Sequence, residues 1–532
     1  MENFVATETL IIVLLLIVSL VAIVVRRLRV PYTVALVVVG LLITFQRPIE
    51  FSLTPELILS LLVPPLVFEA AFHLDFKDLR QNWLVIALLA IPGVLITTFI
   101  VGFIVTFGIG ISLTGALVFG ALISATDPVA VVALFKTIGA PKRLTTLVES
   151  ESLFNDGTAI VVFKLMLVVA LASVSADGSA EKPFDYLAAV IDFVWVSAGG
   201  TAVGIGLGYA AAKVISRLDD YLIETTITTV LAFGSFLVAE QLHLSGVLAV
   251  VAAGIVTGNL GLKAMSPTTK IVLVNFWEYL AFIANSLVFL LIGLDVNLRE
   301  LSANVVPIAV ALAAVVLSRG LIVYGLIALA NLRGVGVSKV SGAYQHVIFW
   351  GGLRGAISLA LALSLPVALA ERDILRVMTF GVVLFTVLVQ GTTMRFLMRI
   401  VGLGQTPEVE LEYERRHGRL LAAQSALKRV AEMQREGLIS VATSEEITEN
   451  LENKIEDHLE SQRELVRAYP MLQHEEREDA ELEMLRAQRA ALTTLLNNGI
   501  ISDTVHEELV AEVDAETTSK TSPKSQVQSP KS

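Results

Sequence analysis

The sequence predicts an all-α polytopic membrane protein with about thirteen transmembrane helices, followed by a helical cytoplasmic tail. Of its 532 residues, 55% are hydrophobic and only 17% are charged, whereas an average soluble domain carries about 25% charged residues. The net charge of −11 belongs entirely to residues 401–532, because residues 1–400 hold equal numbers of acidic and basic side chains. A neutral apolar part and an acidic tail argue against a nucleic-acid partner.

Thirteen segments approach the roughly 20 apolar residues that a bilayer-spanning helix needs. They lie near residues 8–25, 31–45, 54–72, 83–107, 112–135, 146–172, 187–212, 221–241, 244–261, 271–293, 303–331, 341–369 and 377–400. We therefore expect a transmembrane domain over 1–402. A helical tail, interpreted as a regulatory module, is expected over 403–515. A disordered C-terminus rich in Thr, Ser, Lys, Pro and Gln is expected over 516–532.

Basic residues alternate between the predicted loops, with sixteen on one side of the membrane and five on the other. The positive-inside rule then predicts an external N-terminus and a cytoplasmic tail. If spans 1–6 repeat as spans 8–13, each span and its partner are seven spans apart. Because seven is odd, the partners cross the membrane in opposite directions, and the two six-helix repeats are inverted, as in many secondary transporters. The repeat pairs the fifth span with the twelfth.

The fifth and twelfth spans each contain a helix-breaking sequence with one charge. The fifth span has Ser-Ala-Thr-Asp-Pro over 124–128, and the twelfth has Gly-Gly-Leu-Arg-Gly over 351–355. Because Pro128 lacks an N–H and disfavours helix just before it, we expect Thr126 and Asp127 to be partly unwound. The sequence therefore predicts broken helices at both places.

Placing an ionisable residue inside a membrane span costs free energy, so residues of this kind are functional candidates by default. The sixth span is the densest case, because Ser152 and Asp156 share one helical stripe and Glu151 and Asn155 share the next. In the third span, Glu69 follows Pro64 and Pro65, and it is either part of the same site or an interfacial residue.

Carboxylate, hydroxyl, amide and carbonyl oxygens suit a hard cation. A buried carboxylate can hold either that cation or a proton, so alternating access would produce cation/proton exchange without enzyme chemistry. A passive cation channel is the alternative that these residues leave open. Glu151 is also interpreted as structural, with Arg319 and Arg354 as the available cationic partners. The chain has no cysteine, which excludes disulfides and thiol catalysis.

Four spaced motifs resemble the sodium/proton exchangers of the monovalent cation:proton antiporter family, nearest its prokaryotic NhaP-like members. The motifs are Pro-Pro-Leu-Val-Phe-Glu-Ala-Ala-Phe over 64–72, Ser-Ala-Thr-Asp-Pro-Val-Ala-Val-Val over 124–132, Glu-Ser-Leu-Phe-Asn-Asp over 151–156 and Gly-Gly-Leu-Arg-Gly over 351–355. The dipeptide Ser318-Arg319 fits as well. The resemblance covers roughly residues 8–400 and does not include the tail.

This resemblance implies a role for each candidate residue. Asp156 would be the essential carboxylate, and Na⁺ would lie at Asp156, Asp127, Ser152 and Thr126. Asn155 would be the partner found in electroneutral members, while Glu69 would border the ion site. Glu151 would pair with Arg319 to hold two spans together. Arg354 would compensate the negative helix ends at the break.

The resemblance further implies exchange of Na⁺, and also Li⁺, for H⁺ by alternating access, with a K⁺/H⁺ antiporter or a passive monovalent cation channel as the alternative. It implies a homodimer in the plasma (inner) membrane, with no cofactor beyond the transported ions. The acidic tail, which the resemblance does not cover, is interpreted as a regulatory or partner-binding module, with a regulator as its partner.

Overall fold

The fold is defined by a computed structural model that describes residues 2–28, 31–46, 57–174, 186–218, 220–262, 265–333, 339–403 and 408–469, and parts of 484–521. Within these ranges the secondary structure consists of α-helices and three short π-helical turns, without a strand. The predicted all-α class is therefore confirmed. The chain divides into two compact units, Met1–Gln405 and Thr406–Ser532.

The first unit contains all of the predicted spans. In chain order its helices are α1 (Glu2–Leu28), α2 (Tyr32–Gln46), α3 (Val63–His73), α4 (Phe76–Ala90), α5 (Pro92–Ile109), α6 (Leu113–Leu122), α7 (Val129–Ile138), α8 (Lys142–Val174), α9 (Tyr186–Ile215), α10 (Tyr221–Gln241), α11 (Gly246–Val256), α12 (Pro267–Asp295), α13 (Leu298–Ala303), α14 (Val305–Arg333), α15 (Gly342–Trp350), α16 (Ala356–Leu363), α17 (Arg372–Phe385) and α18 (Gly391–Ile400). The π-helical turns cover Leu57–Leu62, Thr257–Gly261 and Thr386–Gln390.

Seven helical segments of the described chain are long and apolar enough to cross a membrane. They are Phe76–Ile109, Lys142–Ala172, Ala188–Ile215, Tyr221–Gln241, Thr269–Asp295, Val305–Leu332 and Arg372–Ile400, and shorter apolar helices accompany them. Large apolar side chains also face outward, among them Trp195 and Val306, which are each 70% exposed. Such a surface suits lipid rather than water. The chain is thus an integral multi-pass membrane protein, and the count of thirteen crossings stays a prediction.

Several helices begin at a residue whose side chain accepts a hydrogen bond from the first turn. Ser112 accepts from the N–H of Gly115 at 3.1 Å, and Ser245 accepts from the N–H of Leu248 at 3.4 Å. Pro92 begins α5, where the N–H that it lacks would have had no partner within the helix. These caps set the helix starts that hydropathy alone does not define.

Glycines on α9 allow this helix to lie directly against α11. Gly200, Gly204 and Gly208 recur every fourth residue, so they share one face of α9. A methyl group at Gly200 or Gly204 would overlap the backbone carbonyl of Ser245 or Ala249 on α11. The two backbones can approach this closely only because no side chain lies between them.

Trp277 on α12 links α3 and α10 inside the first unit. Its side chain is fully buried, and its ring centroid lies 4.4 Å from that of Phe68 on α3. Its Nε1 donates to the Thr228 hydroxyl on α10 at 3.2 Å, which satisfies the polar end of the ring. These contacts fix α3, whose other residues form one wall of the cavity described below.

The second unit contains α19 (Glu408–Arg435), α20 (Val441–Ala468) and α21 (Asp503–Thr521). The first two helices pack together around a turn at Gly437, and Arg416 Nη1 donates to the Ser461 carbonyl at 2.6 Å. The sequence predicts disorder from residue 516, whereas α21 continues to Thr521 because no helix breaker precedes Pro523. Residues 522–532 lie outside the described residues.

Candidate ion-binding site

The chain leaves the helical conformation between α6 and α7, over residues 123–128. In this break the Asp127 N–H donates to the Leu353 carbonyl at 2.8 Å, and the Asp127 carboxylate accepts from the Val129 N–H at 3.0 Å. Pro128 stands at the start of α7, where it cannot continue the hydrogen bonding of α6. The Asp-Pro dipeptide therefore interrupts the helix at the position predicted from sequence.

A second break separates α15 from α16 over residues 351–355. Arg354 in this break is only 1% exposed, and its Nη1 donates to the carbonyls of Ser124 at 2.6 Å and Ala125 at 3.0 Å. These carbonyls follow the end of α6, where backbone acceptors lack partners within the helix and the helix dipole is negative. The guanidinium supplies the missing donors and the opposite charge.

The two breaks touch each other at Gly355. A methyl group at this position would overlap the carboxylate of Asp127, so only glycine leaves room for that side chain. Three residues further along, the Ser358 hydroxyl donates to the Ala125 carbonyl at 3.4 Å. Gly355 and Ser358 of the second break and the helix after it are thus in direct contact with Asp127 and Ala125 of the first break.

Polar side chains of α8 face the first break. Ser152 donates to the Thr126 carbonyl, and Asn155 Nδ2 donates to the Thr126 hydroxyl at 3.1 Å. Asn155 Nδ2 also lies 3.3 Å from Glu151 Oε1, to which it donates a second hydrogen bond. All four side chains are buried, so α8 holds the unwound backbone in place through direct hydrogen bonds.

Glu151 of α8 and Arg319 of α14 form a bidentate ion pair. Nη1 lies 2.7 Å from Oε1 and Nη2 lies 3.0 Å from Oε2. Arg319 Nη2 also donates to the Ile348 carbonyl at 3.0 Å, near the end of α15. Glu151 is 2% exposed and Arg319 is 7% exposed, so water does not compensate either charge. The carboxylate of Glu151 is therefore neutralised within the protein.

A cavity lies beside the two breaks and brings Asp127 and Asp156 together. Its polar lining also includes Thr126, Glu149, Ser152, Asn285 and Ser358. Its remaining walls are mostly apolar and come from α3, α8 and α16, with Val63, Val67, Leu153 and Ile357 as examples. The arrangement can present several oxygen atoms to one small cation inside a largely apolar surrounding.

Two of the predicted ion-binding residues, Asn155 and Glu69, do not line this cavity. Asn155 contacts Thr126 instead, as described above. Glu69 lies on α3, where its Oε1 is 3.3 Å from His73 Nδ1 and its side chain is 21% exposed. Its neighbours Leu66 and Ala70 do line the cavity, so Glu69 borders the site from a partly exposed position.

Three polar lining residues were not predicted from the sequence, namely Glu149 on α8, Asn285 on α12 and Ser358 on α16. Asn285 stands out as a single amide in an apolar run, and Glu149 lies two turns before Asp156. Both are the kind of in-span polar residue that marks a functional site. The packing of α12 against α3 and α16, and of α16 against α8, brings Asn285 and Ser358 to the same cavity as Glu149.

Buried charges at two touching helix breaks in a multi-pass helical protein define a membrane transport protein. A family model described as "Sodium/hydrogen exchanger, transmembrane" matches residues 12–400. The chain belongs to this family, whose members are transporters and not enzymes. The predicted resemblance to sodium/proton exchangers is therefore confirmed.

Several relatives match most of the chain, among them two Na⁺/H⁺ antiporters. The low-affinity Na⁺/H⁺ antiporter NhaS1 of Synechocystis sp. is 36% identical over 490 residues, which cover 91% of this chain and 90% of that protein. The Na⁺/H⁺ antiporter ApNhaP of Aphanothece halophytica is 41% identical over 404 residues, which cover 76% of this chain and 75% of that protein.

A solved structure shares the fold. The sodium proton antiporter MjNhaP1 from Methanocaldococcus jannaschii superposes with a TM-score of 0.61 at 22% sequence identity, over 76% of this chain and 100% of that chain.

Proposed function

We propose that this protein exchanges Na⁺, and also Li⁺, for H⁺ across the membrane by alternating access. The observation that carries the proposal is the presence of Asp127 and Asp156 in one mostly apolar cavity beside two touching helix breaks. Family membership and the Na⁺/H⁺ antiporter relatives support sodium as the cation.

The cation would be held by oxygen atoms alone. Asp156 and Asp127 supply carboxylates, and Ser152 and Thr126 supply hydroxyl and backbone oxygens beside them. These are ligands that hard cations prefer. No cofactor is required, because the bound species is the cargo.

Exchange follows from competition at Asp156. A cation and a proton each neutralise the same carboxylate, so binding one excludes the other. A bare carboxylate surrounded by apolar walls is unfavourable, so the site changes its exposure to the two sides only when it is occupied. Movement of cation in one direction is thereby coupled to movement of protons in the other.

The charge of the buried Glu151 beside the site is compensated within the protein, which supports electroneutral exchange. Glu151 is paired with Arg319, and Arg354 faces the carbonyls after α6. Asn155 contributes a neutral amide where a further carboxylate would add a charge. One proton for one cation then moves no net charge.

We further propose thirteen membrane crossings in two inverted repeats, an external N-terminus and a cytoplasmic second unit. The corresponding positions of the α6–α7 and α15–α16 breaks support the repeat, and the distribution of basic residues supports the orientation. The plasma membrane as location, a homodimeric state and a regulatory role for the second unit belong to the same proposal.

The decisive experiment uses Asp156→Asn and Asp127→Asn in proteoliposomes with an imposed pH gradient. Both variants should lose Na⁺-dependent dissipation of the gradient while retaining the fold. Asp192→Asn is the matched control, because Asp192 is an exposed carboxylate of α9 that does not line the cavity. Normal exchange by Asp156→Asn would reject the assigned role.

Electroneutrality is tested separately with the unaltered protein. Imposing a membrane potential of either sign should leave the exchange rate unchanged. A rate that follows the sign of the potential would show that net charge moves in each cycle.

The alternatives are a K⁺/H⁺ antiporter and a passive monovalent cation channel. They are not favoured, since the relatives that match most of the chain are Na⁺/H⁺ antiporters. A panel of Na⁺, Li⁺ and K⁺ distinguishes the two antiporters. Cation flux without any proton counter-movement would identify a channel.

A further inference from the structure

A second cavity lies between α4, α8, α9 and α11, and it shares no lining residue with the ion-binding cavity. It is an open cleft with a volume of about 590 Å³. Its walls are predominantly apolar, and they include Phe154, Ile205, Leu248, Val251, Ile255 and Leu260. Ile205 is 49% exposed and Leu260 is 50% exposed, so the cleft opens on the outer surface of the helical unit.

Two basic residues line one end of this cleft. Lys77 and Arg80 lie in the first turns of α4, and both side chains are exposed. Within the described parts of the chain, neither of them forms an ion pair. Asp75 is close by, but its carboxylate accepts from the Lys77 backbone N–H at 2.7 Å and caps α4. The end of the cleft therefore keeps a positive charge.

We propose that this cleft binds an anionic glycerophospholipid from the surrounding bilayer. An acyl chain lies in the cleft, along the apolar side chains of α9 and α11 and against Phe154 of α8, and the phosphate lies beside Lys77 and Arg80. An apolar cleft that faces hydrocarbon takes up an alkyl chain more favourably than water. Basic pockets between membrane helices recognise anionic headgroups, which are concentrated in the cytoplasmic leaflet.

The lipid would contact the helix that carries the ion-binding carboxylate. Phe154 and Asp156 are two residues apart on α8, so their side chains point about 200° apart around the helix axis. Phe154 lines the cleft and Asp156 lines the ion cavity. The bound lipid therefore lies on the face of α8 opposite to the ion-binding cavity. The inference depends on the proposed membrane orientation and is independent of which ion is transported.

The test measures thermal unfolding of the full-length protein in detergent during titration with phosphatidylglycerol or with phosphatidylcholine of identical acyl chains. Phosphatidylglycerol should raise the unfolding midpoint at lower concentration than phosphatidylcholine. In the variant Lys77→Ala/Arg80→Ala, the apparent affinity for phosphatidylglycerol should fall about thirtyfold, because each of the two basic residues near an anionic surface contributes roughly 1 kcal/mol. Its response to phosphatidylcholine should not change.

Lys213→Ala/Arg217→Ala is the matched control. It removes the same charge from exposed positions at the end of α9, on the same predicted side of the membrane and outside the cleft. This control should respond to both lipids like the unaltered protein. Equal responses of the unaltered protein to the two lipids, or an equal loss in the control, would overturn the proposal.

A third variant tests the acyl chain separately from the headgroup. Ile205→Trp fills the cleft from its exposed edge and should weaken the response to both lipids. Retention of both responses by a folded Ile205→Trp protein would place the lipid elsewhere. Displacement of phosphatidylglycerol by excess inorganic phosphate would identify a free-anion site instead of a lipid site.

Discussion

Arg319 on α14 donates two hydrogen bonds to the Glu151 carboxylate on α8, at 2.7 Å and 3.0 Å, and both side chains are buried. Each partner also has a further contact. Arg319 donates to the Ile348 carbonyl at 3.0 Å, and Glu151 accepts from Asn155 at 3.3 Å. The pair therefore joins α8, α14 and α15 next to the proposed ion site.

Removing one partner of this pair should strongly destabilise the protein. Glu151→Gln leaves the Arg319 guanidinium buried without its counter-charge, which typically costs about 3–5 kcal/mol. Unfolding in detergent measures the loss. Asp373→Asn is the control, because this carboxylate is 91% exposed and its removal should have little effect. The exchanged pair Glu151→Arg/Arg319→Glu should recover only part of the loss, since a carboxylate at 319 would face the Ile348 carbonyl. An unchanged midpoint in Glu151→Gln would contradict the assignment.

Gly355→Ala should abolish transport by crowding the ion site. The added methyl group overlaps the Asp127 carboxylate and forces it out of its position at the crossing of the two breaks. Exchange in proteoliposomes and helix content by circular dichroism should separate lost function from lost fold. Gly206→Ala is the control, because no neighbouring atom lies within 4 Å of the added carbon. Full activity in Gly355→Ala would show that the Asp127 geometry is dispensable.

Glu149→Gln should raise the KM for Na⁺ more than it lowers the maximal rate. Glu149 lines the same cavity as Asp156 and lies two helical turns before it, so its charge increases the local cation concentration at the site. Glu278→Gln is the control, since this exposed carboxylate on α12 does not line the cavity. Complete loss of the maximal rate would instead indicate that Glu149 is itself an essential carboxylate.

Deletion of residues 406–532 should change the pH or cation dependence of exchange without abolishing it. The boundary follows the division into two compact units, so the membrane unit keeps its own contacts. Arg416→Ala offers a milder change, because Arg416 joins α19 to α20 through the Ser461 carbonyl. A correctly inserted truncation that transports nothing would contradict a purely regulatory role for the second unit.

The elements that carry chemistry could largely be predicted from sequence. Pro128 and the glycines around Arg354 predict helix breaks, and the structure has breaks over 123–128 and 351–355. Charges within apolar runs identify Asp127 and Asp156, which lie in one cavity. These signals are local, because a missing N–H or a charge among apolar residues changes the energy of its own helix.

Other features depend on neighbours that are distant in sequence. Asn285 and Ser358 line the cavity only because α12 packs against α3 and α16, and α16 packs against α8. The fourth predicted span begins near residue 83, whereas α4 begins at Phe76, since Asp75 caps a polar first turn that hydropathy does not count. Pro92 then separates α4 from α5 within what the sequence predicts as one span. Helix ends and inward faces thus follow from caps and tertiary contacts.

The contact between Arg354 and the Ser124 carbonyl spans 230 residues of chain. At typical synthesis rates of about 5–20 residues per second, the ribosome needs roughly ten to fifty seconds to supply the arginine after the serine. During biogenesis, the exposed acceptors after α6 must therefore be hydrated or shielded by the insertion machinery. A nascent chain halted before residue 354 would leave the Ser124 carbonyl without this donor, so the contact forms only late in the assembly of the membrane unit.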